Sequence, residues 1–227
     1  MIIIEYTNIG RRAQNQDFVL SKKIGGSKAL YIVADGMGGY SDGSIAAKIA
    51  AEEIANFIIQ GKSIPESVLN ANAELSRAIR ERGVSKMGCC FAGIEVDGYI
   101  GNIFWIGDCR VYQFRNGQQI YVTQDHTMIA EMEKHGKVTY SQRERYGHIV
   151  SRGFMGSTED TAEEHKILLL PGDEIMLCSD GLHKTMPIDV LLEMIHLGTL
   201  DLKDRNENFD DNHSFCLLYT SPSPRDS

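Results

Sequence analysis

The sequence lacks the spacing patterns that mark disulfide frameworks and zinc sites. Its five cysteines are odd in number, Cys89 and Cys90 are adjacent, and no C-x-x-C pair occurs. None of the seven histidines has H-x-H or H-E-x-x-H spacing, which argues against a zinc site. Unpaired thiols of this kind suit a reducing compartment, so we predict a cytoplasmic protein.

Two further absences concern membranes and nucleic acids. No apolar run approaches the roughly 20 residues that a membrane helix needs. The apolar start MIIIEYTN is short and is interrupted by Glu5, so we interpret it as a strand. With 23 basic and 31 acidic residues the formal net charge is -8, which disfavours phosphate backbones and anionic lipids. We therefore expect neither nucleic acid nor membrane as a partner.

What is present is ordinary for a globular protein, with 42% hydrophobic and 24% charged residues in 227 positions. A chain of this length can bury one sizeable core, so we predict a single domain over residues 1–215 and a monomer. Residues 216–227 end in Ser, Pro and charge and are interpreted as a non-native or disordered tail, which would leave the last native strand truncated.

Two apolar runs each end in an Asp-Gly pair. ALYIVADGMGG (29–39) carries Asp35 into a glycine-rich loop, and DEIMLCSDGLHKT (173–185) ends its run at Asp180. A single Asp-Gly pair most often simply forms a tight turn. Two carboxylates at strand ends favour another interpretation, because an aspartate is rarely left at the edge of a core unless it is paired or binds metal.

The remaining pattern predicts helices on a layered set of strands. Apolar residues recur at helical spacing over 46–58, and Ser63 with Glu66 forms a capping box for a second helix that should cover the same sheet face. Asp97-Gly98 and Asn116-Gly117 predict hairpins within a β meander. The polar stretch 137–160 is interpreted as a surface flap.

Aspartates at strand ends or sharp turns form one candidate site. Oxygen ligands suit hard cations, and Mg²⁺ or Mn²⁺ ions that share a carboxylate activate water against a phosphate ester. An arginine is the natural phosphate clamp, because its fork of donors matches phosphate oxygens. The candidate residues are Asp17, Asp35, Asp108, Asp180, Asp211 and Arg12.

The order of short motifs resembles a known family. Each motif alone is weak, but six in one order over about residues 1 to 215 are specific: GRRAQNQD (10–17), VADGMGG (33–39), GDCRVY (107–112), TQDHT (123–127), SDGL (179–182) and DDNHS (210–214). The chain resembles the type 2C (PPM) metal-dependent protein serine/threonine phosphatases, in their compact bacterial-type form. The resemblance implies an α+β fold, a central β-sandwich of two antiparallel sheets flanked by helices in four α-β-β-α layers.

The resemblance also implies roles for the metal-binding positions. Asp35 would bridge two central Mn²⁺ or Mg²⁺ ions, and the carbonyl oxygen of Gly36 would bind one of them. Asp180 and Asp211 would complete that coordination, while Asp17 would hold the other ion through water.

Three further roles follow from the same resemblance. Asp108 matches a position that helps to bind a third, weaker ion in many members. Arg12 matches the phosphate-binding arginine and would be catalytic together with Asp35 and Asp180. A metal-activated water would attack phosphorus directly, with no covalent phosphoenzyme.

Several positions depart from the family pattern. Met37 stands where animal members carry a histidine proposed as general acid, and Gln16 stands where many members have Glu. His183 and Lys184 follow SDGL where another acid is frequent. His126 lies in a conventional motif, and we interpret it as structural rather than catalytic.

Two hypotheses of different classes remain. The first is an active phosphatase acting in signalling on phosphorylated proteins, the substrates of a serine/threonine kinase. The second is a catalytically degenerate module of the same fold that binds phosphoproteins. Retention of all five aspartates and Arg12 favours the first, because a module without turnover has no need to keep so much repelling charge together. A nucleotide phosphodiesterase is disfavoured because no base-stacking or basic surface signal is present.

Overall fold

A computed structural model describes residues 1–37, 42–199 and 209–220. The strands in these ranges are β1 (Ile2–Asn8), β2 (Asp17–Gly25), β3 (Lys28–Met37), β4 (Gly88–Asp97), β5 (Ile100–Ile106), β6 (Arg110–Arg115), β7 (Gln118–Val122), β8 (Glu163–Leu168), β9 (Glu174–Cys178) and β10 (His213–Tyr219). The helices are α1 (Asp42–Ile59), α2 (Ile64–Arg82), α3 (Met128–His135), α4 (Tyr140–Tyr146), α5 (Asp180–His183) and α6 (Ile188–His196). None of these helices is both long and apolar enough to cross a membrane.

The strands form two antiparallel five-stranded sheets. The first sheet has the order β1-β10-β9-β6-β7, and the second has the order β2-β3-β4-β5-β8. Helices α1 and α2 cover the outer face of the second sheet, and α6 covers the outer face of the first. The predicted α+β fold, a sandwich of two antiparallel sheets between helical layers, is confirmed.

Three apolar layers hold the four structural layers together, and β3 shows how one strand serves two of them. Leu30 and Ile32 point into the layer beneath α1 and α2, whereas Tyr31 and Val33 point into the layer between the sheets. Successive strand residues face opposite sides of a sheet, so a strand covered on both sides must be apolar at nearly every position. This explains the continuous apolar run that delivers Asp35.

The predicted capping box of α2 is present. Ser63 Oγ accepts a hydrogen bond from the Glu66 backbone N–H at 3.4 Å, and the Ser63 backbone N–H donates to Glu66 Oε2 at 3.0 Å. The helix ends at Gly83, whose φ of 65° is left-handed. Both ends of α2 therefore follow from local sequence.

The predicted β meander is instead two hairpins in different sheets. The turns at 98–99 and 116–117 connect β4 to β5 and β6 to β7, as predicted, but β5 belongs to the second sheet and β6 to the first. The chain crosses between the sheets at Gly107, whose φ is 96° and where an added Cβ would lie 2.1 Å from Cys90 Sγ. Asp108 therefore lies at the crossing point, where only glycine can precede it.

The last strand extends beyond the predicted domain boundary. Residues 216–219, which we predicted to begin a tail, are the second half of β10, paired between β1 and β9. Cys216 and Leu218 are buried between the sheets, and Leu217 is buried against the outer helical layer. An interior strand needs apolar residues on both faces, which CLL supplies. The rest of the predicted tail, 221–227, and most of the glycine-rich loop, 38–41, lie outside the described residues.

The stretch 137–160 is only partly a surface flap. Its first half carries α4, which has no buried residue, but Val150 bridges to Thr127 and Phe154 pairs its backbone with Cys89. The Phe154 ring is fully buried, edge to face with Phe91 at 5.6 Å. The second half is therefore part of the core.

We expect Phe154→Ala to destabilise the protein by about 3–5 kcal/mol, the usual result of removing a buried aromatic ring. Tyr140→Ala is the matched control from the same stretch, because Tyr140 is 77% exposed, and it should change stability by less than about 0.5 kcal/mol. Urea unfolding of both variants measures the difference. A loss below about 1 kcal/mol for Phe154→Ala would show that the ring is not packed as described.

Candidate metal centre

The predicted site residues meet in a cleft of about 490 Å³ at one end of the sandwich. The end of β3, the crossing turn, the start of α5 and the residues before β10 all reach it. Among the residues that line it are Arg12, Asp35, Gly36, Asp108, Asp180 and Asp211. Asp17 lies at the start of β2, directly opposite Asp35 in the strand register.

A close backbone approach sets the position of Asp35. The Gly36 backbone N–H donates to the Gln16 carbonyl at 3.2 Å, just beyond the Asp17–Asp35 pair. A Cβ at Gly36 would lie 2.2 Å from the Gly43 carbonyl oxygen at the start of α1. Glycine is therefore required after Asp35, because any side chain would push α1 away from the strand end.

Ser179 and Asn212, two residues without a predicted role, support the site in different ways: Ser179 binds a carboxylate and Asn212 binds the backbone before β2. Ser179 Oγ donates to Asp17 Oδ2 at 2.7 Å and links the two sheets. Asn212 Nδ2 donates to the Ile9 and Gln14 carbonyls at 2.8 and 3.0 Å. Both residues stand beside aspartates in the motifs SDGL and DDNHS, which was the available signal.

The buried carboxyl groups have strongly raised pKa values. Burial raises the pKa of Asp17 to about 7, against the opposing hydrogen bond from Ser179. Burial also raises the pKa of Asp35 well above its ordinary value, and the Asp17 and Asp180 carboxylates add to the shift. A hydrogen bond joins the Asp35 and Asp180 carboxyl groups and favours the protonated form of Asp35. Burial and mutual repulsion therefore both favour the protonated forms of Asp17 and Asp35.

Lys184 neutralises the other part of the cluster. Its Nζ donates to Asp180 Oδ2 at 2.6 Å and to Asp108 Oδ2 at 2.9 Å. Burial alone would raise the pKa of Asp180, but the ammonium of Lys184 outweighs it and the pKa is lowered. The family pattern predicts no role for Lys184, because another acid is frequent after SDGL.

Arg12 is paired with Asp211 at the rim of the cleft. Arg12 Nη2 donates to Asp211 Oδ2 at 2.7 Å, with the two side chains 59% and 39% exposed. The hydrogen bond from this guanidinium raises the pKa of Arg12. An exposed ion pair is weak, typically below about 1 kcal/mol, so both partners remain available to other ligands.

The chemistry of the donor set suits hard cations. Within the ranges that the structure describes, Asp17 Oδ1 is buried without a hydrogen-bond partner, which is costly unless a cation or water reaches it. No three His, Cys, Asp or Glu side chains among the described residues converge as a ready-made metal site. Ion pairs with Lys184 and Arg12 hold Asp108, Asp180 and Asp211. The cleft is thus rich in oxygen donors, the ligands that hard cations prefer.

Two residues near the cleft, His126 and Met37, differ in what they can contribute to it. His126 Nδ1 accepts from the Gly107 backbone N–H at 3.0 Å, and its ring stacks on Trp105 at 6.0 Å. This contact holds the crossing turn behind Asp108, in keeping with the structural interpretation. Met37 lines the cleft, but a thioether has no proton to donate.

Comparisons with known proteins agree with one another. The family described as Protein phosphatase 2C matches residues 6–209. The serine/threonine protein phosphatase PstP of Mycobacterium tuberculosis is 25% identical over 203 residues, which cover 82% of this chain but only 37% of that protein. Protein phosphatase PhpP of Streptococcus pneumoniae is 23% identical over 213 residues, covering 88% of this chain and 86% of that one. The chain therefore spans little more than a third of the length of the mycobacterial relative.

Solved structures show the same fold. The Streptococcus agalactiae serine/threonine phosphatase superposes with a TM-score of 0.79 at 25% identity, covering 97% of this chain and 99% of that one. The catalytic domain of PstP in complex with two manganese ions has a TM-score of 0.78 at 23% identity, covering 95% and 96%.

The raised pKa values predict how the metal-free protein responds to pH. A carboxyl whose pKa is higher when folded than when unfolded binds more protons in the folded state, so stability falls as pH rises through that interval, for Asp17 from about 4 to about 7. Asp35→Asn should weaken this fall, because the amide can donate to Asp180 as the protonated acid does. We expect the metal-free variant to be at least as stable as the wild type at about pH 8.

Thermal unfolding in excess chelator between about pH 5 and pH 8 provides the measurement. Glu144→Gln is the control for the change in net charge, since Glu144 is exposed on α4. A metal-free Asp35→Asn variant less stable than the wild type at the alkaline end would contradict the assigned repulsion.

Proposed function

The chain belongs to the protein phosphatase 2C family, and on that premise we propose that it hydrolyses phosphoserine and phosphothreonine in proteins with the help of two divalent ions. The observation that carries the proposal is the convergence of four aspartates and Arg12 on one cleft, with Asp17 directly behind Asp35. Of the relatives named above, PstP is a serine/threonine protein phosphatase and PhpP is a protein phosphatase.

Mn²⁺ or Mg²⁺ would be held by carboxylate and carbonyl oxygens of the cleft. Asp35 is the central candidate ligand, because its register partner is Asp17 and it also contacts Asp180. Asp211 and the carbonyl of Gly36 would add further oxygen donors. When bound, such ions supply Lewis-acid activation of water and of the phosphate ester. That the PstP structure is described with two manganese ions supports this choice.

Arg12 would position the phosphate by exchanging partners. Its guanidinium now donates one hydrogen bond to Asp211, and its side chain is more than half exposed. The planar fork of donors can bind two phosphate oxygens at once. The Asp211 carboxylate would release the guanidinium when it binds another partner. Arg12 thereby orients phosphorus toward the attacking water, and this orientation is its contribution to rate.

The proposed substrates are phosphoproteins made by a serine/threonine kinase, and the proposed location is the cytoplasm. Arg12 and Asp211 are accessible at the rim, so a phosphorylated side chain on another protein can approach them. All five cysteines are free and buried, as suits a reducing compartment.

The alternative, a phosphoprotein-binding module without turnover, has less support. The buried Asp17 Oδ1 has no partner among the described residues, and Asp35 is shifted toward protonation. A module that only bound phosphate would gain stability by replacing such groups. Their presence favours a centre that takes up cations.

We expect hydrolysis of para-nitrophenyl phosphate to require Mn²⁺ or Mg²⁺. Asp35→Asn and Asp180→Asn should each lower kcat by orders of magnitude, because each removes a charged ligand, while the fold is retained. Assays with added metal and with excess chelator, alongside circular dichroism, make the comparison. Hydrolysis by the wild type in excess chelator would contradict the proposed metal dependence.

We expect Arg12→Ala to lower kcat/KM on a phosphoserine peptide by roughly 10- to 100-fold, since a hydrogen bond to a charged group contributes about 1.5–3 kcal/mol. Arg12→Lys should recover only part of the loss, because an ammonium cannot form the fork. Arg11→Ala is the matched control: Arg11 is the exposed neighbour and pairs with Asp210 instead. If both alanine variants behaved alike, the phosphate would be bound elsewhere.

A further inference from the structure

Lys184 lies where two of the candidate metal ligands come together. Its Nζ bridges Asp180 Oδ2 at 2.6 Å and Asp108 Oδ2 at 2.9 Å, so one ammonium serves two carboxylates. A metal ion bound at this point would also be coordinated by these two carboxylate oxygens. The described ammonium and an ion at the same oxygens are therefore competitors.

The backbone keeps this ammonium in place. Lys184 is four residues after Asp180, and its backbone N–H donates to the Asp180 carbonyl at 2.9 Å, so the two side chains project from the same helical turn. The side chain of Lys184 is 40% exposed, but its two acceptors are 20% and 5% exposed. Moving the ammonium away would leave the buried Asp108 carboxylate without this partner.

The position of Asp108 is equally constrained. It follows the crossing turn at Gly107, and its own carbonyl accepts a hydrogen bond from His183 Nε2 at 2.9 Å. Because a carbonyl oxygen can only accept, His183 carries its proton on Nε2. The backbone of Asp108 is thus held from both the turn and α5.

Charge balance favours the same conclusion. The cluster has five aspartates, and Arg12 and Lys184 already lie on three of them. Two divalent ions added to these two basic side chains exceed the charge of five carboxylates. A third divalent ion beside the Lys184 ammonium would meet net repulsion in a partly desolvated site.

We propose that Lys184 acts as a built-in cation at Asp108, so that this chain binds two divalent ions and excludes a third from the Asp108–Asp180 pair. The inference rests on the proposed two-ion function but is separate from it, since it concerns the number of ions and the identity of the charge at Asp108. It replaces the expectation that Asp108 helps to bind a third ion.

The test counts bound ions rather than activity. Mn²⁺ bound per chain is measured by equilibrium dialysis with elemental analysis, and free Mn²⁺ by electron paramagnetic resonance, up to millimolar Mn²⁺. We expect two equivalents for the wild type and one more for Lys184→Met, which keeps the length of the side chain and removes its charge. The double variant Lys184→Met/Asp108→Asn should return to two, because the added site needs the Asp108 carboxylate.

Lys48→Met is the matched control, because Lys48 makes an i,i+4 pair with Glu52 on the exposed face of α1. It should bind as many ions as the wild type. Three equivalents on the wild type, or two on a folded Lys184→Met variant, would overturn the inference. The wild-type count decides even if Lys184→Met does not fold. A wild type that binds no Mn²⁺ would instead overturn the proposed function.

Discussion

The structure depends on bringing five carboxylates to one end of a sandwich despite their mutual repulsion. Asp17 and Asp35 are direct neighbours in the register of β2 and β3, and both have raised pKa values. A cluster of this kind persists only where protons, basic side chains or metal ions balance its charge. Here Lys184 and Arg12 pair with three of the five carboxylates. Metal ions bound in the cleft would balance the charge that these basic side chains leave uncompensated.

The scaffold can tolerate this repulsion because the carboxylates lie at the ends of well-packed strands. β3 is apolar at nearly every position and is buried on both faces, so it holds Asp35 in place through packing that the charges cannot disturb. Glycines permit the close approaches around it: Gly36 meets α1, and Gly181 lies against the Asn212 carbonyl, where a Cβ would be 2.1 Å away. The cleft is thus built from rigid elements, and glycines avoid steric clashes where these elements approach closely.

The two basic residues of the cleft differ in how firmly they are held, and this suits different tasks. Arg12 pairs with Asp211 at the exposed rim, where an ion pair exchanges readily with another anion. Lys184 directly follows α5, the short helix that begins at Asp180, and it bridges two carboxylates, one of them buried. An accessible guanidinium suits a transient phosphate, whereas a doubly paired ammonium suits permanent charge compensation.

The sequence by itself determined the features that depend on local chemistry. The capping box of Ser63 and Glu66, the hairpin turns and the order of the short motifs each arise from residues close together in the chain, so the fold class could be predicted. The crossing of the chain at Gly107, the full length of β10 and the place of Lys184 were decided only by tertiary structure. Each of these depends on contacts between distant segments. β10 is a strand because β1 and β9 flank it. Lys184 contacts Asp108 because the packing of the two sheets brings residues 76 positions apart together. No local pattern encodes such a meeting, since its energy comes from burial and charge that exist only after the sheets have packed.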